Sequence, residues 1–273
     1  MSTATSTAGA PEGAPVPSTA GQVSQLARRS VLKTLRQPAQ LVPSLVFPLF
    51  LLAVNSSGLD QATRIPGFPT DSYLSFALAV PFMQGALFSV MNAGTDLARD
   101  VETGFLNRLA LTPLRGSALL SGLLAGVVVL GLIQAATYLL VGLVAGAEFE
   151  TGIGGVVIIV ALSVLMSLGF GAIGLFVALR TGSGEAVQGL FPVFFVFLFL
   201  SSMALPRDLI QTDWFREVAT YNPVSYLIEA IRSLLISGWD GEALALGFGV
   251  AIVLAAGAMA AASAALRTRL VRT

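Results

Sequence analysis

The side chains available for chemistry in this sequence are carboxylates, hydroxyls, lysines and arginines, because the chain has no histidine and no cysteine. Imidazole acid–base catalysis, thiol nucleophiles and the zinc sites that these two residues form are therefore excluded. Cysteine usage gives no indication of the redox compartment. We predict no metal site and no catalytic residue on this chain.

The composition predicts an integral membrane protein. Only 11% of the 273 residues are charged and 55% are hydrophobic, with a mean hydropathy of +0.83, whereas a soluble domain carries about 25% charged residues. The fifteen basic and fifteen acidic residues cancel. Net charge therefore does not indicate a nucleic-acid partner, and we expect none.

Six apolar runs are long enough to cross a hydrocarbon core of ~30 Å, which takes about 20 helical residues. They cover residues 38–59, 73–95, 117–145, 153–179, 186–205 and 243–266. We therefore expect an all-α membrane protein with six transmembrane helices, in a domain of residues 38–273. Eleven lysines and arginines lie on the side of the termini and four on the other, which predicts that both termini are cytoplasmic.

Two segments precede the first span. Residues 1–21 are rich in Ala, Ser, Thr, Gly and Pro and lack the pattern of a signal peptide, so we expect a disordered tail. Residues 22–37 predict an amphipathic helix with one apolar side and one basic side. Such a helix is typical of the membrane interface, although an ordinary positive-inside anchor would have the same composition. Its basic residues are Arg28, Arg29, Lys33 and Arg36.

The polar segment of residues 96–116 separates the second and third runs and carries six of the thirty formal charges. A segment this polar cannot lie in hydrocarbon, so it projects on the cytoplasmic side. We predict a helix over residues 100–111, ended by Thr112 because it precedes Pro113. Composition alone leaves open whether this helix fits a cleft in a partner or is a solvated loop.

An outer segment, residues 206–242, precedes the last run. Asn222 is a favourable N-cap and Pro223 suits the first helical position, which predicts a helix from Pro223 to residue 236. Fourteen residues reach about 21 Å, too short to cross the membrane. We expect a re-entrant or interfacial helix, with a plain extracellular loop helix as the alternative. Glu229 and Arg232 could pair on one face because they are spaced i, i+3.

The apolar runs contain almost no ionisable side chains, whereas ion-coupled pumps generally need buried acidic or histidine relays. The sequence also lacks a GxxxxGK[ST] phosphate loop. Active transport by this chain would therefore require a separate subunit that hydrolyses the nucleotide and acts on a cytoplasmic element.

Two motifs resemble those of type-2 ABC transporter permeases, and most closely their daunorubicin-resistance (DrrB-like) branch. The cytoplasmic motif comprises Glu102–Thr103–Gly104, Leu109 and Thr112–Pro113–Leu114. The outer motif comprises Asn222–Pro223, Glu229–Ala230 and Arg232. The resemblance extends from about residue 22 to the C-terminus.

This resemblance implies a permease dimer, of two identical or two sister chains, bound to two ATPase subunits that hold ATP and magnesium. The segment 100–115 would be the coupling helix, and the helix of residues 22–37 would flank it. The implied coupling residues are Asp100, Glu102, Thr103, Gly104, Phe105, Arg108, Leu109, Thr112, Pro113 and Arg115. Asn222, Pro223, Glu229 and Arg232 would lie near the outer mouth of the path.

The leading hypothesis is an exporter of a hydrophobic or amphiphilic compound in the plasma membrane. The alternative is a permease of the same fold that exports a polysaccharide or a lipid-linked glycan. An intramembrane enzyme would need two facing catalytic groups at membrane depth, and the sequence shows none. A passive membrane anchor or sensor would bind no ATPase subunit and would not change its ATP turnover.

Overall fold

The structure, a computed structural model, describes residues 19–110 and 116–272. Within these residues it consists of helices and connecting segments without a strand, which confirms the all-α prediction. The helices are α1 Thr19–Leu35, α2 Pro38–Gly58, α3 Tyr73–Ala77, α4 Ala79–Glu102, α5 Phe105–Ala110, α6 Gly116–Val144, α7 Gly152–Thr181, α8 Gly184–Gln188, α9 Leu190–Phe199, α10 Asp213–Tyr221, α11 Pro223–Arg232 and α12 Gly241–Arg272. Short 3-10 turns cover Asp60–Arg64 and Arg207–Leu209, and a π-helical turn covers Ser233–Ser237.

Among the described residues, five helical segments are long and apolar enough to cross a membrane. They are α2, the α3–α4 segment Tyr73–Glu102, and the corresponding parts of α6, α7 and α12. The fifth predicted run differs, because it forms two short helices, α8 of five residues and α9 of ten, separated at Gly189. Pro192 explains the break, since it has no amide hydrogen to donate to the carbonyl four residues earlier. Together α8 and α9 extend for about 24 Å at 1.5 Å per residue.

Helix α2 continues through Pro43 and Pro48. Pro48 cannot donate to the carbonyl of Ser44, and the buried hydroxyl of Tyr138 on α6 donates to that carbonyl instead, at 2.6 Å. A backbone group inside a membrane domain needs such a partner, because water is not there to satisfy it. The Ser44–Tyr138 bond therefore fixes α2 against α6.

Helix α4 lies at the centre of the bundle. In the most apolar stretch of the α3–α4 segment, 89% of the residues are buried. In the corresponding stretches of α2 and of α12, only 17% of the residues are buried. Helix α4 crosses α7 at Gly94 and Gly174, where a Cβ on Gly174 would collide with the carbonyl oxygen of Val90. Only glycine permits this separation. Two groups of candidate functional residues lie at the ends of α4, Arg29 and Lys33 near Asp100 and Arg232 near Phe76.

Candidate functional site

The chain turns sharply between α4 and α5, at residues 102–105, which we call the α4–α5 corner. Gly104 adopts the left-handed conformation with φ +68°, and Thr103 ends α4 by donating its hydroxyl to the Arg99 carbonyl at 2.9 Å. Arg108 closes the corner from α5, donating to the Thr103 carbonyl at 3.3 Å. The predicted continuous helix over residues 100–111 was therefore wrong. A residue with positive φ interrupts a right-handed helix, and glycine adopts it without steric cost.

The carboxylates before the corner are held by basic residues of α1. Arg29 donates two hydrogen bonds of 3.1 Å to the two carboxylate oxygens of Asp100. Lys33 lies 3.2 Å from a carboxylate oxygen of Asp96 and 3.6 Å from one of Asp100. We call these four residues the inner ion-pair cluster. A bidentate arginine–carboxylate pair fixes orientation as well as distance, so α1 and the end of α4 are held in one geometry.

The inner ion-pair cluster also contacts α5. The Arg29 guanidinium lies 4.0 Å from the centroid of the Phe105 ring, a cation–π contact. Phe105 directly follows the corner glycine, and Leu106 beside it is buried. One arginine of α1 therefore touches both the end of α4 and the start of α5.

Helix α1 is fixed to the bundle through α6. Gly122 and Gly126 of α6 face Leu26 and Ser30 of α1 with no room for a Cβ. The Ser30 hydroxyl donates to the Leu123 carbonyl at 3.2 Å. Arg29 and Lys33 point into the ion-pair cluster as a result, whereas Arg28 and Arg36 remain exposed.

The predicted coupling residues divide into two groups. Asp100 is buried and engaged by α1, so it faces the bundle. Glu102, Thr103 and Arg108 are exposed, and Gly104 and Phe105 are partly buried. Thr112, Pro113, Arg115 and the side chain of Leu109 lie outside the described residues. Among the described coupling residues, those open to a partner are therefore at the corner and just after it, whereas Asp100 near the end of α4 is not.

Asn222 connects α9 to α11. Its carbonyl oxygen accepts a hydrogen bond of 3.0 Å from the Val224 amide, as predicted for an N-cap, and Pro223 follows in the first helical position. The side-chain amide nitrogen of Asn222 donates to the carbonyls of Phe197 at 2.6 Å and Leu200 at 2.9 Å. These carbonyls have no partner within α9 because the helix ends there. One side chain thus caps the end of α9 and the start of α11.

The predicted pairing of Glu229 with Arg232 was wrong. Glu229 forms its ion pair with Arg207, which donates from Nε at 2.8 Å and makes a second bond from its terminal nitrogen. Burial would lower the pKa of Arg207, but the hydrogen bonds and charge of Glu229, together with Tyr226, raise it instead.

Arg232 is buried, with 5% of its surface exposed, and is held by main-chain carbonyls. It donates to the carbonyls of Phe76 at 3.2 Å, Ser202 at 3.0 Å and Met203 at 3.1 Å, and its guanidinium lies 3.6 Å from the Phe76 ring centroid. We call these four residues the outer carbonyl cluster. Burial lowers the pKa of Arg232 to about 10 against the opposing charge of Glu229, so the side chain keeps its charge at neutral pH.

Sequence reasoning did not find the partners of these residues. Asp96 belonged to the polar segment but was not singled out, and Arg207 was only one of the four basic residues counted on the outer side. The carbonyls that bind Arg232 could not be identified from the sequence, because every residue has a carbonyl. The α4 segment connects the two clusters, with Phe76 just before its start and Asp100 near its end.

A cluster of phenylalanines joins α2, α4 and α9. Ring centroids are 6.1 Å apart for Phe47 and Phe88, 5.3 Å for Phe88 and Phe191, and 4.5 Å for Phe191 and Phe195. Phe199 continues it at 6.1 Å from Phe195 and is 55% exposed. The cluster is therefore an apolar surface that reaches the outside of the described chain.

No group of acidic side chains in the described part of the chain could hold a metal ion. The contacts described above bind helices to one another and position them.

Comparison with known proteins identifies the family of this chain. A family model described as ABC-2 type transporter matches residues 21–236. The chain is 28% identical over 229 residues to the daunorubicin resistance ABC transporter permease protein DrrB1 of Streptomyces coeruleorubidus, covering 80% of this chain and 77% of that protein. It is 30% identical over 228 residues to the putative transport permease ycf38 of Pyropia yezoensis, and the match covers 80% of this chain and 76% of that protein. It is 26% identical over 211 residues to the probable doxorubicin resistance ABC transporter permease protein DrrC of Mycobacterium tuberculosis, and the match covers 77% of this chain and 75% of that protein. The family resemblance in the sequence motifs is confirmed, and the chain belongs to the ABC-2 type transporter family.

Proposed function

We propose that this chain is the permease subunit of an ATP-driven exporter, and that a separate ATPase subunit drives it through the α4–α5 corner. The observation that carries the proposal is the structure of that corner. Its exposed residues Glu102 and Thr103, and the exposed Arg108 that bonds to Thr103 from α5, are next to the end of α4, which the inner ion-pair cluster ties to α1. A partner that pushes on this surface therefore moves α1 and α4 together rather than bending a loose loop.

Helix α4 is suited to carry that movement across the bundle. It has 24 residues and extends for about 36 Å at 1.5 Å per residue. Most of its length is buried inside the bundle, and it packs against α7, α6 and α2. Its far end meets the outer carbonyl cluster, where Arg232 binds the Phe76 carbonyl. A displacement at the corner would thus reach the packing of α9 and α11.

The cargo we propose is apolar or amphiphilic. The phenylalanine cluster supplies an aromatic surface on α2, α4 and α9, and stacked rings bind flat apolar compounds through dispersion and edge-to-face contacts. Two of the relatives are named for resistance to daunorubicin and to doxorubicin. Both points favour a drug-like compound over a polysaccharide, which would need more hydrogen-bonding groups along its path.

We further propose six membrane crossings, with both termini in the cytoplasm. The α8–α9 unit would be the fifth crossing, and its length of about 24 Å is short of the ~30 Å core. Helix α11 would act as the re-entrant helix that meets it, since Asn222 and Arg232 satisfy carbonyls at the end of α9 and just after it. This is the expected solution where backbone groups lie below the membrane surface.

The proposed assembly in the plasma membrane contains two permease copies and two ATPase subunits, which hold the ATP and magnesium. Helix α2 supports this assembly because it exposes a row of apolar side chains. Only 17% of the residues in its most apolar stretch are buried. Val46, Phe50 and Val54 are each at least half exposed. A second permease copy or lipid must cover this face, and the cargo would pass between the copies.

The test uses the permease co-expressed with its ATPase subunit and reconstituted in vesicles. Glu102→Lys reverses the charge of an exposed corner residue, and we expect it to abolish ATP-dependent daunorubicin uptake into inside-out vesicles while the protein still inserts. Glu217→Lys on α10 is the matched control, because it reverses an equally exposed charge far along the chain from the corner. Normal uptake by Glu102→Lys with the ATPase bound would overturn the coupling role. An active complex that does not move daunorubicin would overturn the proposed cargo.

A further inference from the structure

One side of α1 carries a shallow, open basic groove, and all the residues that line it belong to α1 or directly follow it. The residues that line it are Gln25, Arg28, Arg29, Leu32, Lys33 and Arg36. Four of these six are cationic and no carboxylate is among them. The groove therefore presents positive charge to whatever lies outside α1.

Half of that charge is uncompensated within the described residues. Arg29 and Lys33 are neutralised by the carboxylates of the inner ion-pair cluster. Arg28 and Arg36 are exposed, and no acidic group of the described chain lies within ion-pair distance of either. The two are eight residues apart, or about 12 Å along the helix. This spacing leaves room for one phosphate-sized group between them.

An apolar strip borders the groove. Ala27, Val31 and Leu35 recur every four residues and so share one side of the helix. The side chains that face α6 are those of Leu26, Ser30 and Thr34, and the strip lies beside them, with the Ala27 backbone also close to Gly122. Leu35 is 48% exposed. A ligand that fits both surfaces is itself amphiphilic, with an anionic head and an apolar body.

We propose that this face of α1 is a binding site for an anionic phospholipid of the inner leaflet. Arg28 and Arg36 hold its phosphate, which suits guanidinium groups because they donate paired hydrogen bonds to phosphate oxygens. The acyl chains lie against Val31 and Leu35. The inference rests on the proposed position of α1 at the cytoplasmic surface, where anionic lipids attract basic segments.

The site also adjoins the coupling machinery. Arg29 and Lys33 line the groove and pair with Asp100 and Asp96 at the same time. A phosphate in the groove competes with these carboxylates for the same two cations. The anionic lipid content of the membrane would therefore alter how firmly α1 is held to α4.

The test is lipid retention on the purified permease, measured by native mass spectrometry in detergent. The probes are dioleoylphosphatidylglycerol and dioleoylphosphatidylcholine, which share acyl chains and differ in head-group charge. We expect preferential retention of the phosphatidylglycerol, and about a thirty-fold loss of affinity in R28Q/R36Q, since each cation near an anionic surface contributes about a factor of five. R28K/R36K keeps both charges and should retain most of the affinity. Arg64→Gln removes an exposed arginine elsewhere and should change nothing.

Each remaining outcome counts against the site. Equal retention of the two lipids, or full retention by R28Q/R36Q, would overturn it. Binding of inorganic phosphate as tight as that of phosphatidylglycerol would show a phosphate site rather than a lipid site, because free phosphate cannot use the apolar strip. If R28Q/R36Q keeps the lipid but no longer co-purifies with a co-expressed ATPase subunit, the face would be assigned to an acidic protein surface. The measurement needs neither ATP nor cargo, so its result is independent of the proposed transport function.

Discussion

The ion pair between Arg29 and Asp100 can be tested by a double-mutant cycle. We expect Arg29→Gln and Asp100→Asn to destabilise the protein separately and to be less than additive together. The pair makes two hydrogen bonds of 3.1 Å, with side-chain exposures of 39% and 11%. Exposed pairs contribute about 0.2–1 kcal/mol, whereas breaking a buried pair costs about 3–5 kcal/mol. Because one partner is accessible to water, we expect a coupling energy of about 1–2 kcal/mol, between these limits.

The structure also predicts the order of the single variants. Asp100 contacts both Arg29 and Lys33, whereas Arg29 has Asp100 as its carboxylate partner among the described residues. Asp100→Asn therefore removes the charge that two cations share. Arg29→Gln leaves Asp100 with Lys33. We expect Asp100→Asn to cost more.

The assay is the free energy of unfolding, from titration with a denaturing detergent in mixed micelles, at low and at high salt. Screening should lower the coupling energy at high salt because the pair is only partly buried. The control cycle uses Asp213 and Arg216 of α10, an i, i+3 pair with exposures of 89% and 45%, for which we expect coupling below about 0.5 kcal/mol. Strict additivity of Arg29→Gln and Asp100→Asn would refute the idea that this pair holds α1 to α4.

Three further substitutions test the other contacts, each by thermal unfolding of the purified protein. Arg232→Met should destabilise by about 3–5 kcal/mol, because it leaves three carbonyls without their donor; an unchanged melting temperature would mean that water replaces the guanidinium. Asn222→Ala should cost about 2–3 kcal/mol, and Asn222→Ser should recover only the N-cap part, near 1 kcal/mol, since serine cannot reach the end of α9. Gly104→Ala should cost about 1–2 kcal/mol from its left-handed backbone alone, because a Cβ there meets no neighbour. Gly58→Ala, where a Cβ also meets no neighbour and φ is not positive, should cost nothing, and an equal loss in the two variants would contradict the conformational argument.

The features that could be predicted from the sequence are those that depend on nearby residues. The fourth apolar run, predicted as residues 153–179, is helix α7 at Gly152–Thr181. Nothing within that run interrupts its apolar character. Asn222 and Pro223 begin α11 as predicted, because an N-cap needs only the amide two residues further along.

The features that sequence reasoning missed depend on distant residues or on one backbone angle. Arg232 satisfies the local rule for pairing with Glu229, but its bonds run to carbonyls such as that of Phe76, 156 positions away. Glu229 forms its ion pair with Arg207 instead. The residue types on both sides of Gly104 favour a helix. The helix is interrupted there because Gly104 has a positive φ, which separates α4 from α5. Glycine permits that angle without requiring it.

The contacts at the two ends of α4 differ in how they respond to force and to solvent. Near its C-terminal end, α4 is held by ion pairs whose arginine is 39% exposed, so salt or a competing phosphate can weaken them. At the N-terminal end, the buried Arg232 is bound to three carbonyls, where screening by salt is weaker. Its loss would leave several buried polar groups unsatisfied at once. In the proposed exporter a push on the corner would therefore break or shift the Arg29–Asp100 contacts first. Helix α4 would then tilt about its outer end, which makes the inner ion-pair cluster the point where the permease can be regulated.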